Sequence, residues 1–439
     1  MELTQGSVAR RLIRFSLPII ITNIFGQLYS LIDSVVVAQF AGEQSLSVLS
    51  VVNGCMTIGY CLVQGAAGAC HIVLAKHFGA QQFDEVRDSA RTMRLVMGLF
   101  SLITALAYIA LADVIFRIMN VPADMVSECR AALTFYALTM PVMGVNMVNT
   151  AIMNGSGDSR TPMLFGTSAQ VLNLILDYLA VAIWGMGVIG AAAASLFSIV
   201  AETVCMFFRS NREIRKYVRG RVVYRKKYAV LMAKIGLPSI AQRSVFALGA
   251  MALQTLVNGY GTDGINSFTV GNTISNFLLV PVLACCTGYE TFAAQNLGAG
   301  EYGRVREGWR ILQRAGIVLN LLLTGAAILF ANAFIGLYLP DRSSPAFELA
   351  RGYFLLLVPT YFLQFWKSSF EAVFKSRLKV TAVAVSSSVS LVVRTAYGYI
   401  FAPAFGINAL GWATTVGCLA ALAYCIIYFK CKVKSVDAA

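Results

Sequence analysis

The chain has 439 residues, of which 58% are hydrophobic and only 13% are charged, and its mean hydropathy is +0.70. A soluble domain with a charged surface does not reach these values, so the composition excludes that class and predicts an integral membrane protein. The net charge of +14 does not indicate nucleic-acid binding, because nine basic residues and one acid are concentrated in residues 209–227. Short loops rich in Lys and Arg stay in the cytoplasm and meet anionic lipid headgroups.

Twelve apolar runs are long enough to span a bilayer. They cover residues 15–40, 49–75, 93–113, 128–153, 162–184, 187–208, 230–259, 268–295, 312–335, 347–373, 379–401 and 407–429. Basic residues fall at every second connection, which predicts that both termini are cytoplasmic. The first run is too long for a secretory signal. We therefore expect a multi-pass protein of the plasma membrane, and the short loops favour a bacterial inner membrane.

Short motifs of the first half recur in the second half at a nearly constant distance along the chain. Gly79-Ala80 recurs as Gly298-Ala299, for example, with an aromatic residue and Val-Arg following at the same spacing. Six helices duplicated in one orientation predict an all-α membrane protein with twelve transmembrane helices in two six-helix lobes, related by a pseudo-two-fold axis along the membrane normal. The expected divisions are an N-terminal lobe 1–209, a basic cytoplasmic linker 210–229 and a C-terminal lobe 230–439.

Asp33 lies inside the first predicted helix of the N-terminal lobe, and Asp177 lies inside the fifth. Asn173 precedes Asp177 by one helical turn, so the two side chains share a face. Counted from the outer helix ends, Asp33, Asp177 and Ser195 all lie about 10–12 Å below the outer surface. Tyr29 lies one turn before Asp33. We therefore expect these five side chains to meet in one layer.

Two neighbouring carboxylates in a low dielectric cannot both stay ionised and unpaired, so one holds a proton or a cation neutralises them. Oxygen ligands without Cys or His suit H⁺ and also Na⁺, which Asp33, Asn173, Asp177 and Ser195 would bind. The alternative is a structural polar cluster that holds helices together. A proline inside a span permits bending, and a bend at Pro18 would move the helix of Asp33.

The C-terminal lobe lacks the matching acids, since Arg394 stands at the position that corresponds to Asp177. Its own intramembrane charges are Arg243, Glu290, Lys367, Glu371 and Arg394. Glu371 follows Lys367 by four residues, a spacing that permits an ion pair. Each of these charges is a candidate substrate contact or a local structural partner.

Several motifs together resemble the multidrug and toxic compound extrusion (MATE) transporters over essentially the whole chain. They are the stretch Gln27 to Asp33, Gly79-Ala80, Asn154-Gly-x-Gly-Asp158-x-Arg160, Asn173-x-x-x-Asp177 and Gln295-Asn296-x-Gly298-Ala299-Gly300. The resemblance implies a secondary antiporter that exports amphipathic or cationic compounds by alternating access, coupled to H⁺ or Na⁺ entry, with no enzymatic activity and no cofactor. It also implies a cation site at Asp33, Asn173, Asp177 and Ser195, with Tyr29 and the bending proline Pro18 nearby. Ser195 departs from the family's usual threonine, and Arg243 stands in helix seven, where another branch carries acids.

The predicted substrate cavity comprises Gln27, Glu290, Glu371, Arg394 and Arg243. The expected partners are small-molecule drugs or toxic compounds and membrane lipids, without nucleic acid, and the expected state is a monomer. A flippase for lipid-linked precursors is an alternative, because it needs a basic cavity and Arg243, Lys367 and Arg394 lie in the C-terminal lobe. A membrane-embedded enzyme is a second alternative, but no metal cluster, nucleophile motif or nucleotide loop indicates one.

Overall fold

A computed structural model describes residues 3–40, 42–119, 121, 125–218, 223–339 and 341–433, and within them all regular secondary structure is helical. Some side chains within these ranges lie outside this description, among them that of Asp33; they belong to residues 30, 31, 33–39, 42–47, 50, 118, 246–248, 250, 251, 258, 262 and 433. The helices are α1 (Val8–Phe40), α2 (Gly42–Gly79), α3 (Phe83–Ala110), α4 (Ala112–Ile118), α5 (Val126–Gly155), α6 (Arg160–Asp177), α7 (Gly187–Arg215), α8 (Lys226–Asn258), α9 (Gly261–Gly298), α10 (Tyr302–Leu329), α11 (Ala331–Gly336), α12 (Pro345–Leu357), α13 (Thr360–Ser376), α14 (Val380–Phe405) and α15 (Asn408–Tyr428).

Most of these helices have the length and composition of membrane spans. Within the described residues, ten spans are long and apolar enough to cross a bilayer, and α12 with α13 makes an eleventh when the bent pair is counted as one. Large apolar side chains such as Leu99, Ile103 and Leu322 are exposed on the outer faces of these helices. A helix satisfies its own backbone hydrogen bonds, so such faces are stable against lipid.

The repeat seen in the sequence is also present in the helix boundaries. Helices α2 and α9 both have 38 residues, and α3 and α10 both have 28 residues. The distance along the chain from α2 to α9 equals the distance from α3 to α10. Hydropathy does not predict the short helices α4 and α11. Their first residues are as far apart along the chain as the first residues of α3 and α10. Their recurrence shows that the duplication extends to the connections between the spans.

Two spans are less regular than the sequence predicts. The run 347–373 is not one straight helix, because the chain breaks between α12 and α13 and bends there by 41°. Pro359 lies at this break, whereas Pro141, its counterpart in the first half, lies inside the continuous helix α5. The run 162–184 is α-helical only as far as Asp177, and residues Tyr178–Ile183 form a π-helical turn.

The chain divides into two compact units. The first contains residues 1–240 and 294–302, and the second contains residues 241–293 and 303–439. In the first unit, α5 packs against α2, α3 and α7, and α6 packs against α1 and α7. In the second unit, α15 packs against α12, α13 and α14. Helix α7 extends to Arg215 and α8 starts at Lys226, so the connection between them is shorter than the expected linker 210–229.

The connection after α7 and the first turn of α8 are anchored to the start of α3. Arg225 donates to Asp88 over 3.1 Å, and Lys227 donates to Glu85 over 2.7 Å. The backbone N–H of Val223 also donates to Asp88, over 3.3 Å. Part of the positive charge of this loop is therefore neutralised within the first unit.

The two repeated Gly-Ala motifs lie against each other within the first unit. A Cβ atom on Gly79, at the end of α2, would overlap the backbone carbonyl of Gln295. A Cβ atom on Gly298, at the end of α9, would overlap the backbone carbonyl of Lys76. Both glycines therefore permit a close approach of two helix ends that a side chain would prevent.

Candidate functional site

The predicted cation site is centred on Asn173 and Asp177 of α6. The amide of Asn173 donates to Oδ2 of Asp177 over 3.0 Å, across one turn of the helix. Asn173 is 6% exposed and Asp177 is 0% exposed. Because α6 packs against both α1 and α7, this polar face of the helix is covered on two sides.

Two hydroxyl groups from the neighbouring helices converge on the other end of the Asn173 amide. Tyr29 of α1 donates to Oδ1 of Asn173 in a short hydrogen bond. Ser195 of α7 donates to the same oxygen over 3.4 Å. A carbonyl oxygen has two lone pairs, so these donors satisfy it and orient the NH₂ group toward Asp177. The structure thus brings together four of the five residues expected to form the site.

Asp33, the fifth expected member, lies in α1 one turn after Tyr29, and its side chain is outside the described residues. Pro18 lies further toward the start of α1, where its carbonyl accepts a hydrogen bond from Thr22 over 2.9 Å. The roles of Asp33 in cation binding and of Pro18 in bending the helix remain predictions.

A π-helical turn follows Asp177 directly, and the sequence did not predict it. The backbone N–H of Trp184 bonds to the carbonyl of Leu179, five residues earlier, over 2.9 Å. Gly185, which follows this turn, and Gly187, the first residue of α7, then adopt positive φ angles of 64° and 56°. Short π-helical turns occur frequently at functional sites, where they change the direction of the residues beside them.

This arrangement can hold a proton or a small cation. A carboxylate that is shielded from water is stable only when it is neutralised, paired or strongly hydrogen-bonded. Asn173 supplies one hydrogen bond to Asp177, and its amide links the acid to the hydroxyls of Tyr29 and Ser195. No group of three or more His, Cys, Asp or Glu side chains with metal-site geometry occurs among the described residues. The oxygen donors of Asn173, Asp177, Tyr29 and Ser195 are of the type that suits a hard cation or a proton.

The second unit contains a cavity of ≈130 Å³. Ten of the fifteen residues that line it have polar side chains, and two of these, Lys367 of α13 and Arg394 of α14, are cationic. The polar side chains that line it are Asn272, Ser275, Asn276, Thr360, Gln364, Lys367, Ser387, Ser390, Arg394 and Thr414. The sequence identifies Arg394 and Lys367, but not Gln364 and Ser387, although these are polar residues within predicted spans.

The other predicted substrate-cavity residues lie elsewhere. Glu371 is buried and pairs with Lys367 over 3.4 Å, as their spacing permits. Glu290 lies 3.7 Å from Lys375. Both acids are therefore partners in local ion pairs. Arg243 is exposed and is not among the residues that line the cavity of the second unit. Gln27 is exposed on α1 in the first unit.

Comparison with known proteins gives a consistent result. The family model MatE matches the chain twice, at residues 18–179 and 238–400, which is once in each repeated half. The chain is 25% identical to a probable multidrug resistance protein, YpnP, of Bacillus subtilis over 307 residues, or 69% of this chain and 68% of that protein. It is 24% identical to an FAD transporter of Shewanella oneidensis over 351 residues, or 77% of this chain and 76% of that protein.

Solved structures show the same fold. The outward-facing structure of a multidrug resistance MATE transporter of the MOP superfamily superposes with a TM-score of 0.91 at 19% identity, covering 100% of this chain and 98% of that one. The likeness confirms the expected all-α membrane fold of twelve transmembrane helices in two lobes.

Proposed function

Because the chain belongs to the MatE family of multidrug and toxic compound extrusion transporters, we propose that it is a secondary antiporter that exports amphipathic or cationic small molecules. It is a multi-pass membrane transporter and not an enzyme. The two matches to the family model support two six-helix lobes, 1–209 and 230–439, joined by the basic connection 210–229, that give the substrate site alternating access to the two sides of the membrane. Since one relative is described as an FAD transporter, we do not restrict the substrates to cations.

The coupling site consists of Asp33, Asn173, Asp177, Ser195 and Tyr29. The single observation that carries this proposal is the hydrogen-bond network in which Tyr29 and Ser195 orient Asn173 toward Asp177. A cation that binds here more tightly in one arrangement of the lobes shifts the equilibrium toward that arrangement by its difference in affinity. Pro18 supplies the point at which α1 bends.

The coupling ion that this network favours is H⁺. Oδ1 of Asn173 already accepts two hydrogen bonds, and its NH₂ group faces Asp177, so an Na⁺ ion there would have to displace these donors. A proton on Asp177 needs only one carboxylate oxygen and leaves the network intact. The transporter uses no cofactor beyond this ion.

The remaining expectations are part of the proposal. The protein acts as a monomer in the bacterial inner membrane, with both termini in the cytoplasm and the loop 209–227 facing anionic lipids. A flippase for lipid-linked precursors is not favoured, because the cavity that Lys367 and Arg394 line is only ≈130 Å³ and does not include Arg243.

Dye transport in everted membrane vesicles tests the coupling site, with a pH gradient and an Na⁺ gradient imposed separately. We expect the pH gradient alone to drive transport by the unmodified protein. Asp33→Asn and Asp177→Asn should each reduce this transport to less than about a tenth, because each removes a carboxylate that carries the coupling proton; a tenfold loss corresponds to about 1.4 kcal/mol. Both variants should reach the membrane in normal amount.

The matched control is Asp263→Asn, which neutralises an exposed acid at the start of α9 and should leave transport unchanged. Transport driven by the Na⁺ gradient alone would identify Na⁺ as the ion and reject the proton. Full activity in both Asp33→Asn and Asp177→Asn would remove the site from the mechanism.

A further inference from the structure

The cavity of the second unit carries an excess of positive charge. The described residues that line it include two cations and no carboxylate. The positive charge of Lys367 is balanced by Glu371, whose Oε1 atom lies 3.4 Å from the Nζ atom of Lys367. Glu371 is itself held by a hydrogen bond of 3.0 Å from Ser386. Glu371 therefore fixes Lys367 at the cavity wall, where Lys367 is a lining residue and Glu371 is not.

The positive charge of Arg394 is not balanced by a described carboxylate in this way. No described carboxylate lies within 4.0 Å of it, and its Nε is buried without a hydrogen-bond partner among the described residues. A guanidinium in a bilayer-spanning segment is costly unless an anion or a set of acceptors meets it. Its planar donors match the two oxygens of a carboxylate or a phosphate. The missing partner of Arg394 is therefore of the kind that an anionic ligand supplies.

Two hydroxyl groups that line the cavity, those of Ser275 and Ser387, can donate hydrogen bonds to a ligand. Ser387 accepts a hydrogen bond from Gln242 over 3.0 Å, and Ser275 accepts one from Tyr361 over 3.2 Å. Each of these two hydroxyls accepts from its neighbour, so its own hydrogen can point into the cavity. The Oε1 atom of Gln364 faces the thiol of Cys418 over 3.5 Å, which directs the amide NH₂ group of Gln364 away from that thiol.

We propose that this cavity is an anion-binding subsite of the transporter, which takes a carboxylate or phosphate group of the transported compound between Arg394 and Lys367. The proposal rests on the proposed transport function and specifies its substrate class. The volume of ≈130 Å³ is well below the roughly 300–1,000 Å³ of a pocket for a whole drug-sized molecule. The cavity therefore fits one charged group of a larger substrate.

The position of Arg394 in the repeat strengthens this assignment. Arg394 stands at the position that corresponds to Asp177, in the helix of the second half that matches α6. Corresponding positions of the two halves thus carry charges of opposite sign. The first half has the acid Asp177, which is assigned to the coupling cation, and the second half has the guanidinium of Arg394. A compound with both a cationic and an anionic group would be recognised by the second unit through its anionic end.

Two dyes that differ only at one carboxyl group provide the probe. Rhodamine 110 is a free acid, and rhodamine 123 is its methyl ester. Binding of each dye to the purified full-length protein is measured by fluorescence anisotropy. We expect Arg394→Gln to raise the Kd for the free acid at least tenfold, which corresponds to about 1.4 kcal/mol. The Kd for the ester should change less than twofold.

Arg394→Lys retains the charge and should recover part of the affinity for the free acid. The double variant Lys367→Gln/Glu371→Gln removes both members of the ion pair without leaving either one buried alone, and it should also weaken binding of the acid selectively. These two variants decide the matter if Arg394→Gln does not fold. The matched control is Arg351→Gln, which changes an exposed arginine of α12 and should affect neither dye.

Equal changes for acid and ester, or no change for either, would overturn the anion subsite. Gradient-driven transport of the two dyes in proteoliposomes tests the proposed function separately. If the unmodified protein binds the acid through Arg394 but transports neither dye under a pH or an Na⁺ gradient, the transport proposal fails and the anion subsite stands.

Discussion

The side-chain amide of Asn173 donates a hydrogen bond to Asp177 over 3.0 Å, and this bond fixes which end of the amide faces the acid. The orientation depends on Tyr29 and Ser195, because both donate to the opposite end of the same amide. Three helices therefore determine the surroundings of Asp177 through one residue. A change at Asn173 should disturb all of these contacts at once.

Asn173→Ala should abolish coupled transport and also destabilise the protein. The substitution removes one acceptor that the hydroxyls of Tyr29 and Ser195 share, and it removes one donor to Asp177. A buried polar group without a partner costs about 1–3 kcal/mol, so the thermal unfolding temperature of the purified protein should fall. Asn332→Ala, at an exposed position of α11, is the control and should change neither transport nor unfolding. An Asn173→Ala variant with normal transport would show that the network is only structural.

Tyr29→Phe and Ser195→Ala should have graded effects on transport. Tyr29 and Ser195 both donate to Oδ1 of Asn173, but the hydrogen bond of Ser195 is long, at 3.4 Å, and therefore weak. A neutral hydrogen bond contributes about 0.5–1.5 kcal/mol, so loss of the Tyr29 hydroxyl should slow pH-driven dye transport about two- to tenfold. Loss of the Ser195 hydroxyl should slow it less.

Ser195→Thr keeps the hydroxyl and should transport normally, and Tyr302→Phe, at an exposed position of α10, is the control for the tyrosine. A larger effect of Ser195→Ala than of Tyr29→Phe would contradict the hydrogen-bond geometry.

Much of the architecture was predictable because it depends on local signals. Long apolar runs determine the spans, and repeated motifs determine the duplication, so α2 and α9 were expected as counterparts before their boundaries were known. The approach of Tyr29, Asn173, Asp177 and Ser195 also followed from local counting, since residues at equal depth on adjoining helices can meet. Their function as a coupling site stays a prediction.

Other features depend on tertiary contacts that the sequence does not encode locally. Pro141 and Pro359 occupy corresponding places, yet α5 continues through the first and the chain breaks at the second. The π-helical turn after Asp177 has no proline or glycine within it to indicate it. The cavity beside Arg394 joins residues from several helices, and only the packed structure brings them together.

Gly298→Ala and Gly79→Ala should both destabilise the first unit. Each added methyl group would overlap a backbone carbonyl, of Lys76 in the first case and of Gln295 in the second. A backbone atom cannot move aside as a flexible side chain can, and overpacking of this kind costs about 1–3 kcal/mol. The thermal unfolding temperature of each purified variant should therefore fall.

The control for this pair is Gly303→Ala in the first turn of α10. A Cβ atom there meets nothing within 4 Å, and alanine favours a helix over glycine by up to about 1 kcal/mol. This variant should be as stable as the unmodified protein or slightly more stable. If Gly79→Ala and Gly298→Ala unfold at the same temperature as Gly303→Ala, the two helix ends are not in close contact.

Arg94→Lys should destabilise the first unit although it preserves the charge. Arg94 of α3 donates hydrogen bonds from three different nitrogens, to Asn149 of α5 over 2.8 Å, to Asn211 of α7 over 2.7 Å and to Ser210 of α7 over 2.8 Å. A lysine ammonium is a compact charge and cannot reproduce this fork. At least one polar partner should be left unsatisfied, at a cost of about 1–3 kcal/mol.

The matched control is Arg91→Lys, one turn earlier and exposed, which should change the free energy of unfolding by no more than about 0.5 kcal/mol. Thermal unfolding of the two purified variants side by side measures the difference, and equal unfolding temperatures would show that the three hydrogen bonds of Arg94 do not hold α3, α5 and α7 together.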